Sequence, residues 1–256
     1  MKAFLLLLSG LATSCAIPSL EVAPRYAQLS LDGHAGLETG GIGGSADLDQ
    51  AGLDDSDGTV GARVDLKFGA PHLVVMGQLP SYRGRGDLDV TVSDGTNTIM
   101  GGTQVDSQID LAMYDAALLF DLFPGDTIEI AIGFGAAYLD VDLAFTEVGG
   151  SMTEVSSQES LPVPMLAAGA SVWIGPVEVS AFAGGLSLSY GGDEITYLDA
   201  DVNARWKLFG GSELLRGSLV LGYRHTGLDL QYEDSSSNVD VDLAVSGPYV
   251  GFELSL

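Results

Sequence analysis

The chain has 256 residues, 35 of them acidic and 10 basic, which gives a formal net charge of -25. That balance excludes a nucleic-acid partner, because phosphate binding needs a basic face. Disorder requires low hydrophobicity as well as charge. Here the hydrophobic fraction is 46% and glycines number 35, a mixture that suits a barrel with an apolar outside and a polar inside.

At the N-terminus Lys2 precedes the apolar run Ala3-Phe4-Leu5-Leu6-Leu7-Leu8, with small residues up to Cys15. The run is too short to span a membrane, and residues 1–14 read as a secretory signal peptide. Leu11-Ala12-Thr13-Ser14-Cys15 resembles a lipobox, which implies lipidation at Cys15, although Ala12 stands where Leu is commoner. Cys15 is the only cysteine, so no intramolecular disulfide can form. Residues 15–25 read as a linker, and 26–256 as one all-β domain.

From Tyr26 onward, strand-like runs of period-two hydrophobicity alternate with clusters of Gly, Asp, Ser and Pro. Ten runs are predicted, over 26–37, 59–69, 72–81, 107–122, 127–146, 161–174, 177–190, 194–209, 214–232 and 239–256. In the second, Val60, Val64, Leu66 and Phe68 alternate with Arg63, Asp65 and Lys67. In the eighth, Leu198, Val202, Ala204, Trp206 and Leu208 oppose Tyr197, Asp199, Asp201, Asn203, Arg205 and Lys207.

The connections alternate between two kinds. Short ones carry the Gly or Pro of a tight hairpin, as in Gly69-Ala70-Pro71, Phe123-Pro124-Gly125-Asp126, Gly175-Pro176 and Gly210-Gly211-Ser212-Glu213. The others include long acidic loops over 38–58 and 82–106. Short turns on one rim and longer loops on the other predict an antiparallel up-and-down transmembrane β-barrel. A soluble β-sandwich is the competing reading of the same alternation.

Three runs change phase midway. The fifth presents Ile128, Ile130, Ile132 and Phe134, then Leu139, Val141, Leu143 and Phe145; the ninth changes near Gly227, and the tenth near Gly247-Pro248. Either a bulge restores the outer face, or the far halves project beyond the bilayer.

The last residues, Tyr249-Val250-Gly251-Phe252-Glu253-Leu254-Ser255-Leu256, resemble the final strand that barrel-insertion machinery reads, except that Leu256 replaces the usual aromatic. With the signal and the strand pattern, the chain resembles the bacterial outer-membrane β-barrel superfamily. That resemblance implies outer-membrane lipids, lipopolysaccharide and the insertion machinery as partners. It points to no specific functional family.

In such a barrel the inward faces would carry an acidic outer lumen of Asp110, Asp140, Asp142, Asp199, Asp201, Asp229, Asp240 and Asp242. Below it would lie a charge network of Arg63, Asp65, Lys67, Arg205, Lys207 and Arg224. Buried charges must pair or stay hydrated, and ten strands leave little free width, so a largely plugged lumen is expected. A narrow cation-attracting pore with an acidic mouth is the alternative.

Asp54-Asp55-Ser56-Asp57-Gly58 resembles part of a calcium loop but lacks the spacing and final Glu of an EF-hand. It reads as a solvated loop tip. No metal site and no cofactor are expected, beyond divalent cations that could bridge surface acids to lipopolysaccharide phosphates.

Barrels of similar size include omptin proteases and lipid-modifying acyltransferases and deacylases, but no segment here matches the omptin catalytic segments. His34 near Asp32, with Ser30 or Ser246, can be drawn as a hydrolase site on the inward face of the first run. The bland reading is a lumen hydrogen bond, and no catalytic residue is assigned. A structural or anchoring barrel is the expectation, with the pore and an outer-membrane hydrolase as the alternatives.

Overall fold

Period-two alternation makes strands wherever glycine, proline and acidic turns do not interrupt it. The computed structural model describes residues 18–39, 42–53, 57–94, 96–125, 127–149, 153–190, 193–210, 215–234 and 237–256. The signal segment 1–14, Cys15 and the Asp54-Asp55-Ser56 tip lie outside the described residues. The elements are β1 (Ser19–Thr39), β2 (Ile42–Asp47), β3 (Asp57–Lys67), β4 (Pro71–Gln78), β5 (Ser81–Leu88), β6 (Val92–Ser93) and β7 (Thr98–Ile99). They continue as β8 (Thr103–Pro124), β9 (Ile128–Glu147), β10 (Glu154–Ile174), β11 (Val177–Tyr190), β12 (Asp193–Phe209), β13 (Arg216–Asp234) and β14 (Ser237–Ser255).

Successive strands pair antiparallel, and β14 returns to β1 over a ladder from Glu21↔Ser255 to Thr39↔Ser237. The sheet closes into a barrel of ten staves: β4 and β5 together form one stave, and β2 only extends the rim beside β1. Closure leaves the main staves without an open edge, so their backbone is satisfied without water, while β2 and β5 at the rim each pair on one side. Among the described residues no helix is long and apolar enough to cross a membrane. All ten predicted runs fall on staves. The linker does not survive as drawn: the first stave begins at Ser19, so residues 19–25 belong to the barrel.

Among the described residues, the turns at Gly69-Ala70-Pro71 and Gly175-Pro176 sit where the sequence put them. Gly175 (φ +62°) and Gly69 (φ +91°) adopt backbone angles that other residues rarely tolerate. Pro80 breaks the third stave between β4 and β5, because it has no N–H for the ladder. Its carbonyl accepts from the Leu111 N–H at 2.9 Å.

A belt of exposed apolar side chains surrounds the periplasmic half. On β9 it runs through Ile128, Ile130, Ile132 and Phe134 to Tyr138. At about 3.3 Å per residue and a tilt of ~40°, that run covers roughly 25 Å, the height of an outer-membrane apolar band. Exposed Tyr26, Tyr114, Tyr138 and Tyr223 mark its upper edge, and Phe68, Phe120, Phe123, Trp206 and Phe209 its lower one. Aromatic girdles of this kind suit the two bilayer interfaces.

Above the tyrosines the barrel inverts. The ladders of β9 with β10 and of β13 with β14 run without a register shift. No bulge rescues the phase. Leu139 and Phe145 instead point inward and are buried, while Asp140 and Asp142 turn outward. The same holds for Leu228 against Asp229 on β13, and for Leu243 and Val245 against Asp242 on β14. The two register shifts that do occur, at Asp121/Phe123 and Lys207/Phe209, lie at the opposite, periplasmic rim.

The projecting half is therefore packed like a water-soluble barrel, with Leu29, Leu31, Ile109, Leu111, Val155 and Val163 inside. Its mouth is covered by the connection after β2, whose Leu48, Ala51 and Leu53 are at most 1% exposed and pack with Tyr82 and Leu88. A Cβ on Gly84 would stand 1.6 Å from the Gly52 carbonyl oxygen, and one on Gly86 2.0 Å from that of Gln50. Only glycine lets the lid lie this close to β5.

Candidate functional site

Below the apolar chamber the lumen is filled by charge. β13 projects Arg224 inward, where its Nε donates to Asp199 (2.9 Å), its Nη1 to Gln78 (3.3 Å) and its Nη2 to Asp115. Tyr197 donates to Asp115 (2.8 Å) and Thr226 to Asp199 (2.9 Å). These groups come from strands far apart in sequence, and every one of them is nearly or fully buried.

One level down, Asp201 accepts from Arg25 (2.6 Å), Asn203 (2.8 Å) and the Tyr249 hydroxyl (2.8 Å). The Arg25 guanidinium lies 4.4 Å above the Tyr249 ring, a cation–π contact that helps a buried cation. Arg63 makes a two-pronged bond to Asp65, at 2.7 and 2.9 Å. Nearer the periplasm Arg205 meets Glu253 (3.2 Å), Glu178 (3.3 Å) and Glu21 (3.5 Å). Four buried guanidinium groups thus span the lumen, each against at least one carboxylate, and the acids outnumber them.

At the periplasmic end Lys67 donates to both oxygens of Glu129, at 2.9 and 3.0 Å, and His72 Nδ1 stands 3.1 Å from Asp121. A cavity of about 50 Å³ lies among Lys67, His72, Glu129, Trp173, Glu178 and Arg205. Among the described residues His72, Asp121 and Glu129 are the group arranged to hold a metal ion.

Of the expected network, Arg63, Asp65, Arg205 and Arg224 lie in this belt, and Lys67 at its lower edge. Lys207 does not, being exposed at the rim beside the register shift. The acidic outer lumen needs a larger correction. Asp110, Asp140, Asp142, Asp229 and Asp242 share strand faces with the exterior, and the side chain of Asp240 lies outside the described residues. Asp199 and Asp201 do point inward, but into the middle of the belt at 0% exposure. The expectation failed because it assumed a polar interior at every height.

The drawn hydrolase site fails for the same reason. Asp32 is exposed on the outward face of β1 and Ser30 shares that face. His34 lies opposite the outward Asp242, and Ser246 follows the same parity on β14. His225 likewise faces out beside the inward Arg224. Above the bilayer Arg85 bonds Asp106 at 2.6 and 2.9 Å and holds that carboxyl below its usual range. The Asn97 and Thr96 backbone N–H groups do the same for Asp94. Both are exposed pairs on the surface.

Sequence reasoning missed Arg25, Asp115, Tyr197, Tyr249, Glu21 and Glu253. Arg25 was assigned to the linker. Asp115 is a lone acid on the same alternation face as Leu111, Met113, Ala117 and Leu119, and that interruption was the available signal.

No protein-family model and no curated relative matches the sequence. Among solved structures the chain is similar to the outer membrane protease OmpT of Escherichia coli, with a TM-score of 0.52 and 8% identity over 93% of this chain and 97% of that one. It also matches the translocator domain of the autotransporter NalP from Neisseria meningitidis (TM-score 0.40, 13% identity, 98% and 92% covered). A Pseudomonas aeruginosa FadL homologue matches at TM-score 0.34 and 10% identity (93% and 90% covered). At these identities the likeness is one of fold. The chain has the fold of a bacterial outer-membrane β-barrel.

Proposed function

We propose that this chain is a non-enzymatic, non-conducting outer-membrane barrel with a structural or anchoring role. The observation that carries the reading is the closed lumen: an apolar lid and core in the projecting half stand above a belt of buried ion pairs. A solute would have to break both. The pore alternative relied on an acidic mouth, but Asp110, Asp140, Asp142, Asp229 and Asp242 face away from the lumen, and the inward Asp199 and Asp201 are taken up by the belt. The hydrolase alternative relied on residues that share no inward face.

The anchoring role rests further on Cys15, which in this reading carries a lipid next to the first stave. The acidic exterior of the projecting half, with Asp32, Asp140, Asp142 and Asp242, would meet lipopolysaccharide phosphates through divalent cations. The barrel-insertion machinery would read β14.

The test is conductance in planar bilayers. The refolded wild-type chain gives no discrete steps in this reading. Reproducible cation-selective steps, abolished by neutralising acids of the belt, would overturn it in favour of the pore. Lipidation is checked separately, by whether a labelled fatty acid enters the wild type and not Cys15→Ala.

A further inference from the structure

We infer that His72, Asp121 and Glu129 form a binding site for a divalent transition-metal ion at the periplasmic end of the lumen, with Zn2+ the best fit. The inference goes beyond the closed-barrel reading and does not depend on it.

The ligand atoms of the three residues lie within 4.8 Å of one another. One imidazole nitrogen and two carboxylates are a donor set suited to Zn2+ and to other first-row ions. His72 is 5% exposed, and its Nδ1 stands 3.1 Å from Asp121 Oδ1. At that distance the two atoms pair with each other, and neither has a further partner. An ion between them would replace this single contact with two coordinate bonds. Two ligand atoms 3.1 Å apart, each ~2.0–2.1 Å from a metal, subtend about 100° at it, close to a tetrahedral angle.

Glu129 completes the set by a modest shift of its carboxylate, which Lys67 now holds through both oxygens. The Lys67 ammonium and a metal ion therefore compete for the same acid. His72 and Glu129 both line the small polar cavity, which has room for a water as fourth ligand. Regular alternation with Ala117 and Leu119 puts Asp121 on the inward face of β8, beside His72 on the neighbouring β4.

The experiment titrates the full-length refolded barrel in detergent with ZnCl2. Trp173 fluorescence reports from the cavity wall, in a Trp206→Phe background so that it is the sole indole. A parallel Co2+ titration reads the visible bands that are intense only in a tetrahedral field. One saturable site with those bands is expected. His72→Ala and Asp121→Asn should each weaken binding at least about tenfold, and Lys67→Met should strengthen it. Cold gel mobility before and after boiling confirms that each variant is folded, and isosteric Asp121→Asn stands in if His72→Ala is not. Non-saturating quenching, absent cobalt bands, or variants that titrate like the wild type would mean that only the acidic exterior collects the metal. Any of these overturns the inference.

Discussion

Tyr138 stands directly opposite Tyr114 across the β8–β9 ladder, and the barrel changes character at their level. Below the pair the outward face is Phe134, Ile132 and Ile130; above it, the outward face is Asp140 and Asp142. Both tyrosines are about half exposed (46% and 43%), as amphipathic rings at a bilayer boundary should be.

That level predicts how the outside tolerates charge. Ile132→Lys places an ammonium against hydrocarbon near the bilayer midplane and should cost about 2–4 kcal/mol. Asp142→Lys, two outward positions above Tyr138, should change stability by no more than about 0.5 kcal/mol. Denaturant unfolding in lipid vesicles checks both, and equal costs would mean that the boundary is misplaced.

Inside the projecting half, ordinary core rules should hold. Leu31 is 0% exposed, so Leu31→Ala should cost roughly 2–5 kcal/mol, as in a soluble core. A negligible change in the same unfolding assay would show that the chamber is loosely packed.

The charge belt predicts a strong asymmetry between breaking and replacing. Arg224→Met strands the buried Asp115 and Asp199 and should destabilise by about 3–5 kcal/mol. Adding Asp115→Leu and Asp199→Leu removes the stranded charges and should recover much of that loss. A multiple-mutant cycle measures the coupling. Additive losses would refute the network.

The lid and the belt should open separately. Gly84→Val drives a side chain into the Gly52 carbonyl and should lift residues 42–53, which then become a site of limited proteolysis. Conductance should stay at zero, because the belt below is untouched. Ion passage in Gly84→Val alone would show that the belt does not close the lumen.

Much of the fold was legible because alternation is local. All ten staves, the short periplasmic turns and the outward Val60, Ile132, Val202 and Trp206 follow from period two and from Gly and Pro placement. The pieces that were not legible lack such a signal. β2, β6 and β7 are short, and β5 reads as a polar Gly-Arg-Gly-Asp stretch whose glycines serve the lid above it. Arg25, Tyr249 and Asp201 meet only because closure pairs β1 with β14 and the lumen brings Asp201 of β12 to them.

By itself the sequence determined which side chains share a face, since every second residue of a strand must point the same way. It could not determine which of those faces was the inner one at a given height. An apolar face satisfies hydrocarbon outside the bilayer-spanning half and a dry core inside the projecting half equally well. The choice between them rests on where the closed barrel leaves the membrane, and only the assembled staves, with their tyrosine girdle, fix that level.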